Sequence, residues 1–298
     1  MKFGVSSYVW VSPFSNHTIE QLKHAKELGF DIYEIGVEDP SSFDPAYVKH
    51  EADKAGIQVN ICGAFGPERD ISSDASRYRD KGMEYIRTLI DMASVFGSPY
   101  VAGPMYAATG KAGMASEEER TRQRSYAVDN LRALAGYAAT KGIRLALEPL
   151  NRFETDFLNT VDQGVELLDE IGCDNVGFLL DTFHMNIEEK SLGQAIRRAG
   201  SRLFDFHACS NDRGTPGQDH LDWDEISKAL RDIGYNGAVV IESFTTDITE
   251  IAKAVSLWRP LAASQELINT YQTQDIYTTI YTSQQNHHLY QGLGPGNP

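Results

Sequence analysis

Short apolar runs alternate with longer amphipathic stretches along the whole chain, and this alternation restricts the possible fold more than any other feature. The runs are continuous rather than interrupted at every second position, as expected of strands that are buried on both faces. Eight runs qualify: Phe3–Ser7, Ile32–Val37, Ile57–Cys62, Tyr100–Gly103, Ile143–Glu148, Val176–Asp181, Leu203–His207 and Ala238–Glu242. Strands of this kind are typical of parallel sheets that helices cover.

The stretches between these runs carry the start and stop signals of helices. Thr18 opens the capping-box pattern Thr-Ile-Glu-Gln, which predicts the start of the first helix. Glycines stand before several strands, where a helix that ends in the left-handed region favours glycine: Gly29, Gly56, Gly97, Gly142, Gly172 and Gly234. A last helix is predicted where Ile251, Ala254, Val255 and Trp258 share one face before Pro260.

Eight strand–helix units without a break in composition predict an α/β fold, a single closed (β/α)8 barrel of the TIM type over residues 1–268. An open doubly wound sheet is the alternative, but no G-x-G-x-x-G follows the first strand to support it. Residues 269–298 differ in composition, being rich in Gln, Thr and Tyr, and are expected to form a disordered or partner-packed tail.

Charge and cysteine usage limit the partners and the compartment. A net charge of −15 disfavours binding to nucleic acid and to anionic membranes. No apolar run approaches the roughly 20 residues of a membrane span, and no signal peptide is recognised at the N-terminus. The three scattered cysteines, Cys62, Cys173 and Cys209, fit reduced thiols. We therefore expect a cytoplasmic protein.

Four ionisable residues stand at the ends of the last four predicted strands: Glu148, Asp181, His207 and Glu242. In a barrel, these positions converge at the C-terminal mouth, where such enzymes keep their active sites. Taken singly, each carboxylate could be a helix N-cap and the histidine an ordinary core residue. Four in succession favour a functional site.

One divalent metal ion would relieve the repulsion within this group of three carboxylates and one imidazole. Mostly oxygen ligands with no thiolate suit Mn²⁺, with Co²⁺ or Mg²⁺ as alternatives, better than a structural zinc. Glu154, His184 and Arg213 follow on the same loops and are placed to bind a polyhydroxylated substrate. Tyr8, Phe65 and Tyr106 are candidates for the pocket wall, although packing at the barrel end would explain them nearly as well.

Four segments resemble the ketose 3-epimerases of the xylose-isomerase-like barrel superfamily, the group of D-tagatose, D-allulose (psicose) and L-ribulose 3-epimerases. The segments are LEPLNRFETDFLNT from Leu147, LLDTFHMNIEE from Leu179, FHACSNDRGTPG from Phe206 and VVIESF from Val239. The resemblance implies that Glu148, Asp181, His207 and Glu242 bind the metal and that Glu148 and Glu242 also form the catalytic acid/base pair. It further implies that Glu154, His184 and Arg213 hold the sugar hydroxyls, and that the chain forms a homodimer or homotetramer.

The function this implies is inversion of C3 in free ketoses, of the D-fructose/D-allulose, D-tagatose/D-sorbose or L-ribulose type, by two-carboxylate proton transfer through an enediolate held on the metal. A sugar or sugar-phosphate isomerase or epimerase and an inosose dehydratase remain alternatives. An apurinic-site nuclease would need further metal ligands and a basic groove, and a non-enzymatic sugar-binding barrel would leave the acid/base pair unexplained.

Overall fold

The strands of this protein close into the predicted barrel. A computed structural model describes residues 1–113, 115–217 and 219–244 of the 298-residue chain. Eight parallel strands follow one another in chain order around the barrel, and β1 pairs with β8 to close it. The strands are β1 (Lys2–Ser6), β2 (Ile32–Val37), β3 (Gln58–Gly63), β4 (Tyr100–Gly103), β5 (Arg144–Leu147), β6 (Val176–Asp181), β7 (Leu203–Ala208) and β8 (Ala238–Ile241). The predicted bounds agree with these to within one residue at each end.

Helices connect the strands and cover the outside of the barrel. They are α1 (Glu20–Glu27), α2 (Pro45–Ala55), α3 (Ser76–Phe96), α4 (Glu117–Ala139), α5 (Val161–Ile171), α6 (Thr182–Glu188), α7 (Leu192–Ala199) and α8 (Trp223–Asp232). Gly56, Gly97 and Gly172 end α2, α3 and α5 with φ angles of 70°, 72° and 69°. The prediction of left-handed helix ends at these glycines is confirmed.

The predicted capping box at Thr18 is wrong. Ser15 caps a short 3-10 helix over Asn16–Thr18, and Thr18 is the third residue of that capping box rather than its first. The Thr18 hydroxyl accepts a hydrogen bond from the Ser15 amide at 3.0 Å, and α1 begins two residues later at Glu20. Thr18 thus belongs to the preceding turn, and Ile19, which has no side-chain cap hydrogen bond, occupies the N-cap position of α1.

The barrel interior differs from the layer between barrel and helices. The outer layer is apolar, with residues such as Leu22, Ile86 and Leu131 fully buried. The interior holds hydrophobic side chains such as Ala102, Ala146 and Leu179 together with Glu34, Asn60 and Asp205, and these three polar residues are each 0% exposed. Since buried polar groups need partners, this interior must contain an organised polar network.

Several predicted features lie outside the described residues. They are the helix carrying Ile251 to Trp258, the domain boundary at residue 268 and the tail over 269–298. Within the described part of the chain, none of the helices combines the length and the apolar character that crossing a membrane requires.

Replacing Gly177 in β6 with alanine is expected to destabilise the fold. A Cβ atom there would lie 2.3 Å from the backbone carbonyl oxygen of Arg202 and 2.5 Å from the Phe204 ring. Such overpacking costs about 1–3 kcal/mol of unfolding free energy, measurable by urea denaturation. Gly136→Ala is the matched control, since no described atom lies within 4 Å of its added Cβ in α4. We expect that control to gain about 0.5–1 kcal/mol, and a Gly177→Ala protein as stable as the parent would contradict the close approach.

Candidate active site and metal centre

Glu148, Asp181, His207 and Glu242 meet at the C-terminal mouth of the barrel. Each offers one ligand atom, and these four atoms all lie within 4.8 Å of one another. Asp181 ends β6 opposite His207 on β7, while Glu148 and Glu242 directly follow β5 and β8. All four side chains are buried. Parallel register on neighbouring strands therefore gathers the residues that were predicted to share one site.

One ring nitrogen of the buried His207 has a hydrogen-bond partner among the described residues, and the other has none. Its Nε2 atom lies 2.7 Å from Glu34 Oε1. Its Nδ1 atom lies 3.3 Å from Glu242 Oε2 and 3.9 Å from Asp181 Oδ2, yet it is buried without a hydrogen-bond partner among the described residues. A buried nitrogen that faces carboxylate oxygens in this way fits a metal ligand, and three carboxylates with one imidazole suit a divalent cation.

Asp181 has both of the roles that the sequence analysis treated as alternatives, a helix N-cap and a residue of the site. Its Oδ1 accepts a hydrogen bond from the Phe183 amide at 2.7 Å and so caps the N-terminus of α6. Its Oδ2 lies 2.5 Å from Arg213 Nη1 and faces His207. Because a carboxylate has two oxygens, capping the helix fixes the orientation of the group and leaves the second oxygen in the site.

A layer of hydrogen-bonded side chains lies above this four-residue cluster and consists of Arg213, His184, Asn151 and Glu154. Arg213 Nη1 also lies 3.1 Å from Glu242 Oε2, and its Nη2 lies 2.7 Å from His184 Nε2. Asn151 donates from its backbone amide to His184 Nδ1 at 3.1 Å and from its side chain to Glu154 Oε1 at 2.8 Å. The three residues predicted to bind substrate are thus connected to one another and buried beside the cluster.

A left-handed backbone conformation places Arg213. It has a φ of 65°, which the other described non-glycine residues do not share. Its guanidinium is stacked between the rings of Phe183 and Phe244, at 4.3 and 4.9 Å from their centroids. Strained conformations of this kind cluster at functional sites.

The site carboxylates repel one another strongly. Burial, and then the charge of Glu242, raise the pKa of Glu148 well above its ordinary value. Burial also acts to raise the pKa of Glu242, but His207 and Arg213 outweigh it and hold that pKa at about 2. Burial, and then Arg213, lower the pKa of His184 to about 3, so this ring is neutral near pH 7. A divalent cation would stabilise both carboxylates in their charged forms.

A cavity of about 580 Å³ opens above this layer. Glu148, Glu154, His184, Arg213 and Glu242 line it on one side, whereas Asp181 and His207 lie beneath with 0% exposure. The opposite wall comes from the end of β3 and from the loops after β2 and β3, and consists of Glu38, Cys62, Gly63, Ala64, Phe65, Gly66, Pro67, Glu68 and Arg69.

The three predicted aromatic wall residues lie in different places. Tyr8 and Phe65 line the cavity. Tyr106 does not, because its hydroxyl donates to the Glu148 carbonyl at 2.9 Å and its ring stacks on Phe157 at 5.2 Å. Tyr106 is 0% exposed and supports the backbone at Glu148 from outside the cavity.

Sequence reasoning missed two buried acids, Glu34 and Asp205. Glu34 lies within β2 and Asp205 within β7, and both face His207 Nε2, at 2.7 and 3.5 Å. Together with His207 they form a second group with metal-ligand spacing. The available signal was a charged residue inside an otherwise apolar run, Ile-Tyr-Glu-Ile and Leu-Phe-Asp-Phe, which is costly unless the charge has a partner.

Comparison with known proteins agrees with this geometry. The profile of the xylose isomerase-like TIM barrel family matches residues 22–266. A probable ketose 3-epimerase of Synechocystis sp. is 33% identical over 282 residues, which cover 92% of this chain and 98% of that protein. This chain belongs to the ketose 3-epimerases of that family.

Solved structures extend the likeness to three dimensions. An L-ribulose 3-epimerase superposes with a TM-score of 0.90 at 29% identity, covering 99% of both chains. The D-allulose 3-epimerase of Methylomonas sp., solved in complex with D-allulose, superposes with a TM-score of 0.84 at 31% identity, covering 90% of this chain and 93% of that chain. As a member of this group the chain is an enzyme of the isomerase class.

Proposed function

We propose that this protein is a divalent-metal-dependent epimerase that inverts C3 of unphosphorylated ketoses. The observation that carries the proposal is that Glu148 and Glu242, which directly follow strands three places apart around the barrel, line one cavity above a buried set of candidate metal ligands. Inverting a carbon next to a carbonyl requires one group to remove a proton and a second group to return one from the opposite face.

Glu148 and Glu242 are the proposed acid/base pair, and both also belong to the proposed ligand set with Asp181 and His207. In one direction, the carboxylate on one face of C3 takes its proton, so that the C3–H bond breaks and an O–H bond forms. The carboxyl group on the other face then donates a proton to C3, and the reverse reaction exchanges their roles. A divalent ion bound at the four side chains would act as a Lewis acid on the substrate carbonyl.

Arg213, His184 and Glu154 are proposed to hold the substrate oxygens near the reacting carbon. Their polar atoms line the cavity beside Glu148 and Glu242. Asn151 fixes His184 and Glu154 through short hydrogen bonds, so these groups stand in place before the substrate arrives. Such preorganisation reduces the reorganisation needed during proton transfer.

The charges of the cavity wall support a free sugar over a sugar phosphate. Among the residues that the structure describes, five glutamates line the cavity, Glu38, Glu68, Glu148, Glu154 and Glu242, against two arginines, Arg69 and Arg213. Arg213 is already paired with Asp181 and Glu242. Even with the proposed divalent ion in place, these side chains leave a net negative charge, so a phosphate dianion would meet repulsion there, whereas hydroxyl groups can donate to carboxylates.

Product analysis tests the proposal. Metal-stripped protein would be incubated with D-fructose, D-tagatose, L-ribulose and D-xylulose, with and without Mn²⁺, and the products separated by chromatography. We expect a metal-dependent C3 epimer from at least one of these ketoses. An aldose as the only product would instead identify an aldose–ketose isomerase, and no reaction with any free ketose would overturn the proposed substrate class.

Glu38 is expected to bind the end of the sugar that lies far from the metal. It follows β2 across the cavity from Glu148, is only partly buried, and accepts a hydrogen bond from Ser12 at 2.5 Å through one oxygen. Glu38→Gln should lower kcat/KM for a ketohexose about tenfold, mainly through KM, because a hydrogen bond to a charged group contributes about 1.5–3 kcal/mol.

Glu68→Gln is the matched control for this prediction. Glu68 lines the same wall but pairs with Lys81 at 2.7 Å, with 67% of its side chain exposed. We expect that variant to keep parental kinetics. Equal KM values for Glu38→Gln and the parent enzyme would exclude Glu38 from sugar binding.

The metal identity, the assembly and the compartment stay predictions. We propose Mn²⁺ as the native ion, with Co²⁺ or Mg²⁺ as alternatives, and a cytoplasmic homodimer or homotetramer. Elemental analysis of protein purified without added metal and light scattering in solution test the first two.

A further inference from the structure

The buried acids beneath the proposed metal site are not used by the reaction described above. Glu34 lies on β2 and Asp205 lies on β7, the strand that also carries His207, and both side chains are 0% exposed. Burying one carboxylate in a protein interior is costly, and burying two side by side is more so. Such an arrangement needs a compensating role.

The contacts of His207 indicate that role. Its Nε2 atom faces carboxylate oxygens, Glu34 Oε1 at 2.7 Å and Asp205 Oδ2 at 3.5 Å. Carboxylates at this position accept a hydrogen, so a neutral imidazole carries its single hydrogen on Nε2. The lone pair is then on Nδ1, the atom that faces Asp181 and Glu242.

The distance of 2.7 Å also argues against a second metal between these groups. Two ligands that each lie about 2.1 Å from one ion, at right angles or wider, are separated by about 3 Å or more. A nitrogen–oxygen separation of 2.7 Å is instead that of a charge-assisted hydrogen bond.

A line of polar side chains continues from Asp205 towards the opposite end of the barrel. Tyr100 comes next to Asp205. The pKa of the Tyr100 hydroxyl is raised first by burial and then by the charge of Asp205. Asn60 donates to that hydroxyl at 2.7 Å, and Gln58 donates to Asn60 at 2.7 Å. Lys2 donates to Gln58 at 2.8 Å. In each of these three hydrogen bonds the donor lies farther from Asp205 than the acceptor does. The positive ends of the N–H dipoles therefore point towards the buried carboxylates.

We propose that Glu34 and Asp205 are positioning residues that hold the Nε2 hydrogen of His207 and thereby present its Nδ1 atom to the metal. The inference rests on the proposed function, since it requires a metal at the four-residue site. Glu34 makes the shorter contact and is the principal partner. The line from Tyr100 through Asn60 and Gln58 to Lys2 stabilises the charge of the pair.

Metal affinity tests this role without relying on turnover. Metal-stripped parent protein and Glu34→Gln would be titrated with Mn²⁺ against a fluorescent chelator, giving Kd and stoichiometry. We expect one ion per chain in both and a Kd that is about 10- to 100-fold higher in Glu34→Gln, because outer partners of metal-binding histidines contribute to this extent. Asp70→Asn is the matched control, a buried acid that bonds Ser72 and Lys111 away from the site. It should leave Kd unchanged.

Thermal unfolding of the metal-free proteins separates positioning from a merely structural role. Glu34→Gln removes one of two adjacent buried negative charges, so its metal-free melting temperature should equal or exceed that of the parent. Weaker metal binding without lower metal-free stability is the expected signature. If Glu34→Gln fails to fold, Asp205→Asn replaces it, with a smaller rise in Kd expected from its longer contact.

The outcomes are distinguishable. A parent protein that binds no Mn²⁺ would overturn the proposed function itself. A parent that binds one ion, with Glu34→Gln and Asp205→Asn binding it equally tightly, would overturn only the positioning role. Two ions in the parent and one in Glu34→Gln would make Glu34 a ligand of a second metal, against the inference.

Discussion

Glu148→Gln and Glu242→Gln are each expected to lower the rate of C3 epimerisation by about 100- to 10,000-fold, the contribution of a positioned acid or base. Each glutamine keeps a carbonyl oxygen for the metal and nearly the same shape, but it cannot accept the C3 proton. Both residues line the cavity, so the loss should affect either direction of the reaction. Initial rates with each epimer as substrate, on variants of verified metal content, measure it.

Isotope exchange in D2O distinguishes the separate roles of the two carboxylates. With one carboxylate removed, the other can still take the C3 proton from the epimer that it faces and return a deuteron to the same face. Glu148→Gln should therefore incorporate deuterium into one epimer and Glu242→Gln into the other, with neither variant interconverting them. Near-native epimerisation by either variant, or exchange of both epimers by one variant, would show that the two-carboxylate mechanism is wrong.

His207→Ala is expected to remove most of the bound metal. The imidazole is the only nitrogen ligand of the proposed set, and its loss should raise the metal Kd by more than the roughly 10- to 100-fold of an outer partner. It also leaves Glu34 and Asp205 without the imidazole that they face. Elemental analysis after gel filtration, with circular dichroism to confirm folding, gives the result.

His220→Ala serves as its control. His220 lies outside the site and contacts Asn186 at 3.0 Å on the protein surface. It should retain the parental metal content. A His207→Ala protein that is folded and carries as much metal as this control would remove His207 from the ligand set.

The positions of the four proposed ligands could be predicted because they depend on local features. Each of the last four apolar runs closes on an ionisable residue, and consecutive runs in a parallel barrel end on the same side. Glu148, Asp181, His207 and Glu242 follow from that rule alone. The helix ends at Gly56, Gly97 and Gly172 follow in the same way from the backbone freedom of glycine.

Contacts between distant strands were not predictable in this way. Glu34 and His207 are 173 residues apart in the sequence. Their 2.7 Å contact depends on the closure of the barrel and on the register between β6 and β7, which shifts between Phe178 and Leu179 of β6. The sequence shows only that a glutamate interrupts an apolar strand. It does not show which of the interior side chains that glutamate meets.

The roles of Tyr106 and Asp181 were decided by tertiary structure for a related reason. Whether an aromatic residue at a strand end faces the cavity or the backbone behind it depends on the rotation of its loop, and Tyr106 turned towards the Glu148 carbonyl. Asp181 both caps α6 and faces the proposed metal site, because its two oxygens point in different directions. Strand order, strand ends and the ligand types are thus properties of the local sequence. Which atoms share a hydrogen bond across the barrel is determined only when the sheet closes, because closure brings together side chains that no local rule relates.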